Sequence, residues 1–286
     1  MLIVRAKGQL GNQMFIYSAA FRSRREGENL LLLGFDELRR AFGGLFGIHL
    51  TVPNYASHKK HFERVVRFLR VLASCRIIGI VDSPSGLRDL TRVEGVLPLA
   101  LFDGGYCQDE ELSPVEPLLS LRNQRLVEDS SQMRSLIPEV FDRKDPVCFV
   151  HVRLGDYLNW PTKENPAALP QSFYEEQIRR VAAEYPSTRF LIFSDDIEFC
   201  RSSFSTIPRL RIVDTDAVTA WLAMSMCQFG ILSASTFSWS AARVANHEPG
   251  GGLFIAPRYW TFWTRRQWPE NSPRHSSVLT WVDLGV

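Results

Sequence analysis

Cys148-Phe-Val-His-Val-Arg-Leu-Gly-Asp-Tyr157 is an apolar run that ends abruptly in charge. Val147–Val152 reads as a strand buried on both faces, the pattern of a parallel sheet covered by helices. His151, Arg153 and Asp156 leave its carboxyl end, where an open α/β sheet keeps its ligand. Arg153 offers a planar, permanently charged fork that fits phosphate oxygens, and Gly155 lets backbone come close to a bound group. A plain ion pair of Arg153 with Asp156 explains the same residues, and such surface pairs contribute little. Partners elsewhere in the chain must decide.

Working outward, the second half alternates strands and helices: strands at 147–152, 189–193, 210–213 and 229–232, helices at 172–184, 218–227 and from about Phe237. Ser172-Phe-Tyr-Glu175 has the spacing of a capping box and predicts the start of its helix. The first half opens as a strand (2–6), a turn punctuated by Gly8 and Gly11, and a helix (12–25). A strand at 30–33, an amphipathic helix at 59–73 and a strand at 76–81 follow. The class is therefore α/β. The polar, proline-terminated stretch Asp142-Arg-Lys-Asp-Pro146 reads as a linker, dividing an N-terminal domain (1–143) from a C-terminal domain (144–286), two Rossmann-like sheets expected to face across a crevice.

Three strand ends of the second half carry polar residues at once: His151/Arg153/Asp156, Ser194-Asp195-Asp196, and Ser233-Ala-Ser-Thr-Phe-Ser238. Parallel strands place all three on one edge of the sheet. The third opens a helix, whose free amides and positive dipole end suit an oxyanion, with Ser235, Thr236 and Ser238 as hydroxyl donors around Phe237. Ordinary capping by Ser or Thr is the competing reading. Asp195 and Asp196 suit ribose hydroxyls or a base edge, and equally a solvated turn with a helix cap. In the first half, Gly8-Gln-Leu-Gly-Asn-Gln-Met-Phe15 matches no standard nucleotide fingerprint. Its glycines, Gly11 included, permit close approach, and Asn12 and Gln13 are expected to present amide donors to the crevice.

Other signals carry less. Asp214-Thr-Asp216 has the D-x-D form that holds a divalent ion, but such a match is expected by chance, and Asp216 as a helix cap is preferred. No G-x-S-x-G elbow is present. The seven tryptophans all lie at or beyond position 160; sugar stacking competes there with core packing, which is the commoner use of such rings.

A 286-residue chain that is 45% hydrophobic and carries a formal net charge of +2 can bury large cores but lacks the basic field expected of a nucleic-acid binder. Five scattered cysteines without a C-x-x-C pair imply neither a disulfide framework nor a zinc site, and fit a reducing, cytoplasmic compartment. No signal-peptide pattern or run of about 18 apolar residues suggests a transmembrane segment.

Taken in order, Gly8-x-Leu-Gly-Asn-Gln-Met-Phe15, His151-Val-Arg-x-Gly-Asp-Tyr157, Phe193-Ser-Asp-Asp196 and Ser235-Thr-Phe-Ser-Trp239 resemble the α-1,2-fucosyltransferases over nearly the whole chain. Gly105-Tyr-Cys-Gln108 and Met224-Ser-Met-Cys227 resemble two shorter segments of that family. The resemblance implies a GT-B fold and inverting transfer of L-fucose from GDP-β-L-fucose to a galactose 2-hydroxyl, without a metal or any other cofactor. It implies GDP bound mainly by the second domain and the acceptor glycan on the first, with the enzyme peripheral to membranes where glycan acceptors are assembled. Arg153 matches the family arginine on the donor diphosphate, and His151 lies near the nucleotide. Asp195 and Asp196 fall at the guanosine, and Ser235 to Ser238 at the phosphates. Gly11, Asn12 and Gln13 complete the donor set, with Asn12 also counted as catalytic. Asp156 is the nearest candidate base, with Glu164 behind it, and orienting Arg153 is its equally simple role.

Two departures stand out. Leu154 occupies the place of a second consecutive arginine, and Ser240 that of a second tryptophan, which is expected to loosen packing beside the phosphate site. A non-catalytic GDP-sugar or glycan binder, or a fucosyltransferase of another linkage (α-1,6 or protein O-linked), are the alternatives. Acceptor contacts are expected in first-domain loops such as Gly43–Gly47, which carry no readable code.

Overall fold

The computed structural model describes residues 1–50, 55–83, 89–142, 144–269 and 273–284, with 55–62 described through their backbone. Two compact units emerge, Met1–Gln124 and Arg125–Val286.

The first unit contains β1 (Leu2–Arg5), α1 (Leu10–Ser23), β2 (Leu30–Leu33), α2 (Asp36–Phe42), β3 (Ile48–Leu50), α3 (Tyr55–Ser74), β4 (Gly79–Asp82), β5 (Thr91–Val93) and β6 (Ala100–Phe102). Its sheet runs β3-β2-β1-β6-β4-β5, parallel except for the β4–β5 edge pair. The strand expected from Arg76 starts three residues later, because Arg76 takes a positive φ of 56° that breaks extended pairing. Sequence reading missed β6 altogether. Its three residues, Ala100, Leu101 and Phe102, are all buried beside β1, and so short a run carries no periodicity.

The helix α4 (Glu116–Leu136) runs through the division between the units. The boundary thus falls at 124/125 and not at 143–146, and Arg143 lies outside the described residues. The reason is ionic anchoring around the expected linker. Arg211 grips both oxygens of Glu139 at 2.8 and 2.7 Å, while Arg189 holds Asp142 and Asp145 at 3.0 Å each. Those carboxylates are part of the second unit's rim.

The second unit contains β7 (Val147–Val152), a small hairpin of β8 (Pro161–Thr162) and β9 (Asn165–Pro166), then α5 (Gln171–Glu184), β10 (Arg189–Ser194), α6 (Ile197–Phe204), β11 (Leu210–Ile212), α7 (Ala217–Met224), β12 (Phe229–Ile231), α8 (Thr236–Asn246), β13 (Leu253–Pro257) and β14 (Leu279–Val282). The main sheet is wholly parallel in the order β11-β10-β7-β12-β13-β14. Counted along this unit the order is 3-2-1-4-5-6, the doubly wound dinucleotide-binding order. Its reversal point lies between β7 and β12, and ligands of such sheets bind outside the strand ends there.

All six residues of β7 are buried, as a central strand requires. Alternation sends Val150 and Val152 into a core with Phe173, Tyr174 and Ile178 of α5 and Phe204 of α6. Phe149 and His151 face the other way. The Phe149 ring occupies the space a side chain at Gly230 of β12 would take, so glycine there lets the ring lie across the neighbouring strand. One local expectation fails: α5 begins a residue early, at Gln171 after the cap residue Pro170, and Ser172 makes no capping bond. Proline at this boundary, in extended backbone with φ −68° and ψ 150°, already fixes the entry of the chain.

Candidate active site

At the reversal point the chain leaves β7 through Arg153 and β12 through Ser233, and one hydroxyl joins the two. Ser233 Oγ donates to the His151 carbonyl oxygen at 2.7 Å and accepts from the Arg153 backbone N–H at 2.9 Å. It also meets the buried Tyr174 hydroxyl of α5 at 2.8 Å. This linkage fixes the backbone from which the Arg153 side chain departs.

Two carboxylates hold the guanidinium itself. Asp156 lies 2.6 Å from one terminal nitrogen and Asp195, at the end of β10, 3.1 Å from the other. The second oxygen of Asp195 accepts from the Leu154 N–H at 2.9 Å. Gly155, at φ 22°, leaves the space this carboxylate fills: a Cβ there would stand 2.5 Å from Asp195 Oδ2. The Arg153 guanidinium also lies 5.5 Å from the ring of Tyr157, whose hydroxyl donates to the Ala234 carbonyl. Burial is the main cause pushing that phenol up to about 12. It stays a neutral donor.

His151 is buried with its ring 5.7 Å from Phe237, and its Nδ1 has no hydrogen-bond partner among the described residues. Burial first, and the Arg153 charge second, lower its imidazole to about 3. It is therefore neutral at physiological pH and leaves Arg153 as the positive charge of this strand end. Ser235 caps α8, its Oγ accepting from Phe237 N–H at 3.3 Å, and Thr236 and Phe237 are half-buried in the first turn. The helix start, Arg153 and the β10 end thus share one edge of the sheet, an arrangement suited to an oxyanion.

Other expected residues are placed differently. Asp195, expected at a guanosine, has both oxygens engaged on the Arg153–Leu154 segment. Asp196 is exposed and caps α6 by accepting from Phe199 N–H at 2.9 Å. Ser238 is fully buried and donates to the Ser235 carbonyl oxygen, because the first helical turn winds it into the core. Glu164 sits exposed in the turn between β8 and β9. Asp216, by contrast, caps α7 through the Val218 and Thr219 amides as expected. Among the described residues no group of three His, Cys, Asp or Glu is placed to hold a metal ion.

Both departures are built into the core. Leu154 is buried with Ala168, Leu169 and Phe173. Ser240 does not loosen its surroundings: it is fully buried, accepts from the Trp221 indole at 2.9 Å and donates to the Phe237 carbonyl oxygen. It ties α7 to α8 behind the cap.

In the first unit, Gly8 takes φ 68° and leaves room for the Asn12 amide, which accepts from Gln108 at 3.0 Å. Gly11 is buried in the first turn of α1. Gln13, expected to offer an amide outward, is buried and bonded to the Gly8 carbonyl oxygen and the Leu38 N–H. Its spacing one residue after Asn12 turns it to the core side of the helix. Sequence reading missed Ser233 as the hub and Tyr174 as its support. Ser233 stood at the head of an inspected motif, whereas Tyr174 is indistinguishable in sequence from any core residue of α5.

The model of glycosyl transferase family 11 matches residues 102–263. The chain belongs to this family. Two relatives from Escherichia coli resemble this family 11 chain across nearly its whole length. An O-antigen biosynthesis glycosyltransferase, WbnK, is 25% identical over 97% of the chain and 98% of its own. An alpha-1,2-colitosyltransferase is 32% identical over 91% and 92%. Among solved structures, the fucosyltransferase NodZ from Bradyrhizobium, co-crystallised with GDP as an alpha-1,6-fucosyltransferase, shares the fold with a TM-score of 0.53 and 15% identity over 84% of this chain and 90% of its own. This family 11 member is therefore a glycosyltransferase on a doubly wound α/β scaffold.

Proposed function

We propose that this glycosyltransferase moves L-fucose from GDP-β-L-fucose to the 2-hydroxyl of a galactose-containing glycan, with inversion and without a metal. The observation that carries the reading is the guanidinium of Arg153, clamped by Asp156 and Asp195 at the reversal point of the second sheet. As the glycosidic bond breaks, negative charge accumulates on the leaving diphosphate. A fixed cation and the first amides of α8 stabilise that charge more than they stabilise the bound donor, which is what lowers a barrier. His151, buried and neutral, leaves Arg153 as the basic group of this strand end.

Asp156 is the more exposed of the two clamps and the carboxylate to which the acceptor proton passes late in the reaction. Within the first unit, Asn12, presented by the Gly8 turn and braced by Gln108, is proposed as a donor-binding and catalytic amide. A glycan acceptor and the α-1,2 linkage are supported by the four ordered motifs and by the 32% identical relative. The same relative favours colitose as an alternative sugar.

The deciding experiment incubates the protein with GDP-fucose or GDP-colitose and a β-galactoside, with and without a chelator, and determines the product linkage. An α-1,2-fucosyl product unaffected by chelator is expected. Inactivity on every galactoside, strict metal dependence, or binding of GDP-fucose with neither transfer nor donor hydrolysis would sink the reading.

A further inference from the structure

The outer face of α3 is apolar where a surface helix is ordinarily polar. Val66 and Ala73 turn inward, with Leu69 and Leu72 packed partly beneath them, while Val65, Phe68 and Val71 stand exposed. Phe68 keeps 61% of its surface in solvent. The apolar face does not end with the helix. The chain continues through exposed Ile77, whose carbonyl oxygen accepts from Leu97 N–H at 2.9 Å, while Arg76 accepts from Val96 N–H at 2.9 Å. Leu97 is exposed as well, and Val96 is 86% exposed. Four large apolar side chains on the helix and the segment it leads into, with two more on the 96–97 segment bonded beside it, exceed the scattered hydrophobics normal on a monomer surface.

The charge of this stretch of sequence is predominantly positive. Between His58 and Arg76 the sequence holds six Lys or Arg residues and a single acidic one, Glu63, in a chain whose whole net charge is +2. Glu63 is paired to Arg5, and Arg70 turns sideways to Asp103. Arg64, Arg67 and Arg76 are exposed and have no ion-pair partner among the described residues. Exposed arginines between exposed valine and phenylalanine form the pattern of a helix that lies in a bilayer interface, apolar residues in the acyl boundary and cations among anionic headgroups. No described helix is long and apolar enough to cross a membrane, so attachment of this kind is in the plane.

We infer that the outer face of α3, extended by Ile77, Val96 and Leu97, is a docking surface for an anionic lipid bilayer. A protein partner or a second copy of the chain would favour acidic side chains opposite Arg64 and Arg67, and no acidic patch accompanies α3 on its own outer face to make the contact self-complementary. The inference is independent of which sugar is transferred.

The test is co-sedimentation of the full chain with vesicles of phosphatidylcholine alone or with one quarter phosphatidylglycerol. Binding is expected only to the anionic vesicles and to weaken as salt is raised. Arg64→Glu with Arg67→Glu is expected to lower partitioning by at least about fivefold per arginine. Phe68→Glu with Val71→Glu is expected to abolish it while circular dichroism and transfer to a soluble acceptor stay as in wild type. Equal binding to both vesicle types, no binding to either, variants that partition like wild type, or a dimer in sedimentation equilibrium that only the Phe68/Val71 variant dissociates would each overturn the assignment.

Discussion

Ser233 Oγ stands 2.9 Å from the backbone nitrogen of Arg153 and so fastens the end of β12 to the end of β7 at the point where the strand order reverses. Removing the hydroxyl by Ser233→Ala leaves the Arg153 N–H and the Tyr174 hydroxyl buried without this partner. The expected cost is about 1–3 kcal/mol in urea unfolding, accompanied by a lower kcat. Tyr174→Phe, which removes one bond and leaves Ser233 its backbone partners, is expected to cost about 1 kcal/mol. Equal stability of Ser233→Ala and wild type would contradict this linkage.

Arg153 and Asp195 separate in kinetics. Arg153→Ala is expected to lower kcat by about 10²–10³, the loss of one donor to developing charge. Asp195→Asn unclamps the guanidinium without removing it, so kcat should fall while the donor KM changes little. A donor KM that rises with kcat unchanged would instead return Asp195 to nucleotide recognition.

Gly155→Ala probes the same clamp through the backbone. Its Cβ would meet Asp195 Oδ2 at 2.5 Å, and a positive φ of 22° disfavours any side chain. Steady-state assays are expected to show the kinetic pattern of Asp195→Asn, and unchanged kinetics would contradict the packing described.

Leu154→Arg places a charge in a hydrophobic core. Loss of the buried leucine forfeits about 1.5–3 kcal/mol of burial before the charge is counted. Thermal unfolding is expected to shift to markedly lower temperature, with no gain in kcat. A variant as stable as wild type would show that position 154 turns outward.

Acid should weaken the fold through His151. In the unfolded chain its imidazole takes a proton near pH 6.5, whereas in the folded protein burial delays this to about 3. Between those values the unfolded state holds the extra proton, so stability is full above pH 6.5 and declines as pH falls toward 3. Glu28, held near 2 chiefly by its Arg92 hydrogen bonds, acts later: its contribution is present above 4.5 and is lost as pH falls toward 2. Urea unfolding at pH 7.5 and 5.5 should show a decline in wild type that His151→Asn removes. A wild-type midpoint that is flat across this window would rule out a buried neutral imidazole.

Much of this was legible in the residues themselves. Buried parallel strands are continuous apolar runs, so 147–152, 189–194 and 229–231 announced themselves, and the polar residues placed directly after such runs do gather on one edge of the sheet. Caps were legible unevenly: Asp216 and Ser235 do cap their helices, whereas the capping box of Ser172 and Glu175 does not form, because Pro170 had already set the boundary. The three-residue strands β3, β5 and β6 left no trace in periodicity, and neither did the 21-residue helix α4.

What the sequence by itself determined is the scaffold and the cast: an α/β chain with an arginine, a histidine and a serine-capped helix at neighbouring strand ends. Only the tertiary structure decided which of these residues face outward and which hold others in place. Helical winding turned Gln13 and Ser238 into the core, and the closeness of β7, β10 and β12 turned Asp195 and Ser233 toward Arg153. The physical reason is that local preference depends on neighbours in the chain, whereas the partner of a buried polar atom is whichever group packing brings within about 3 Å, at any separation in sequence.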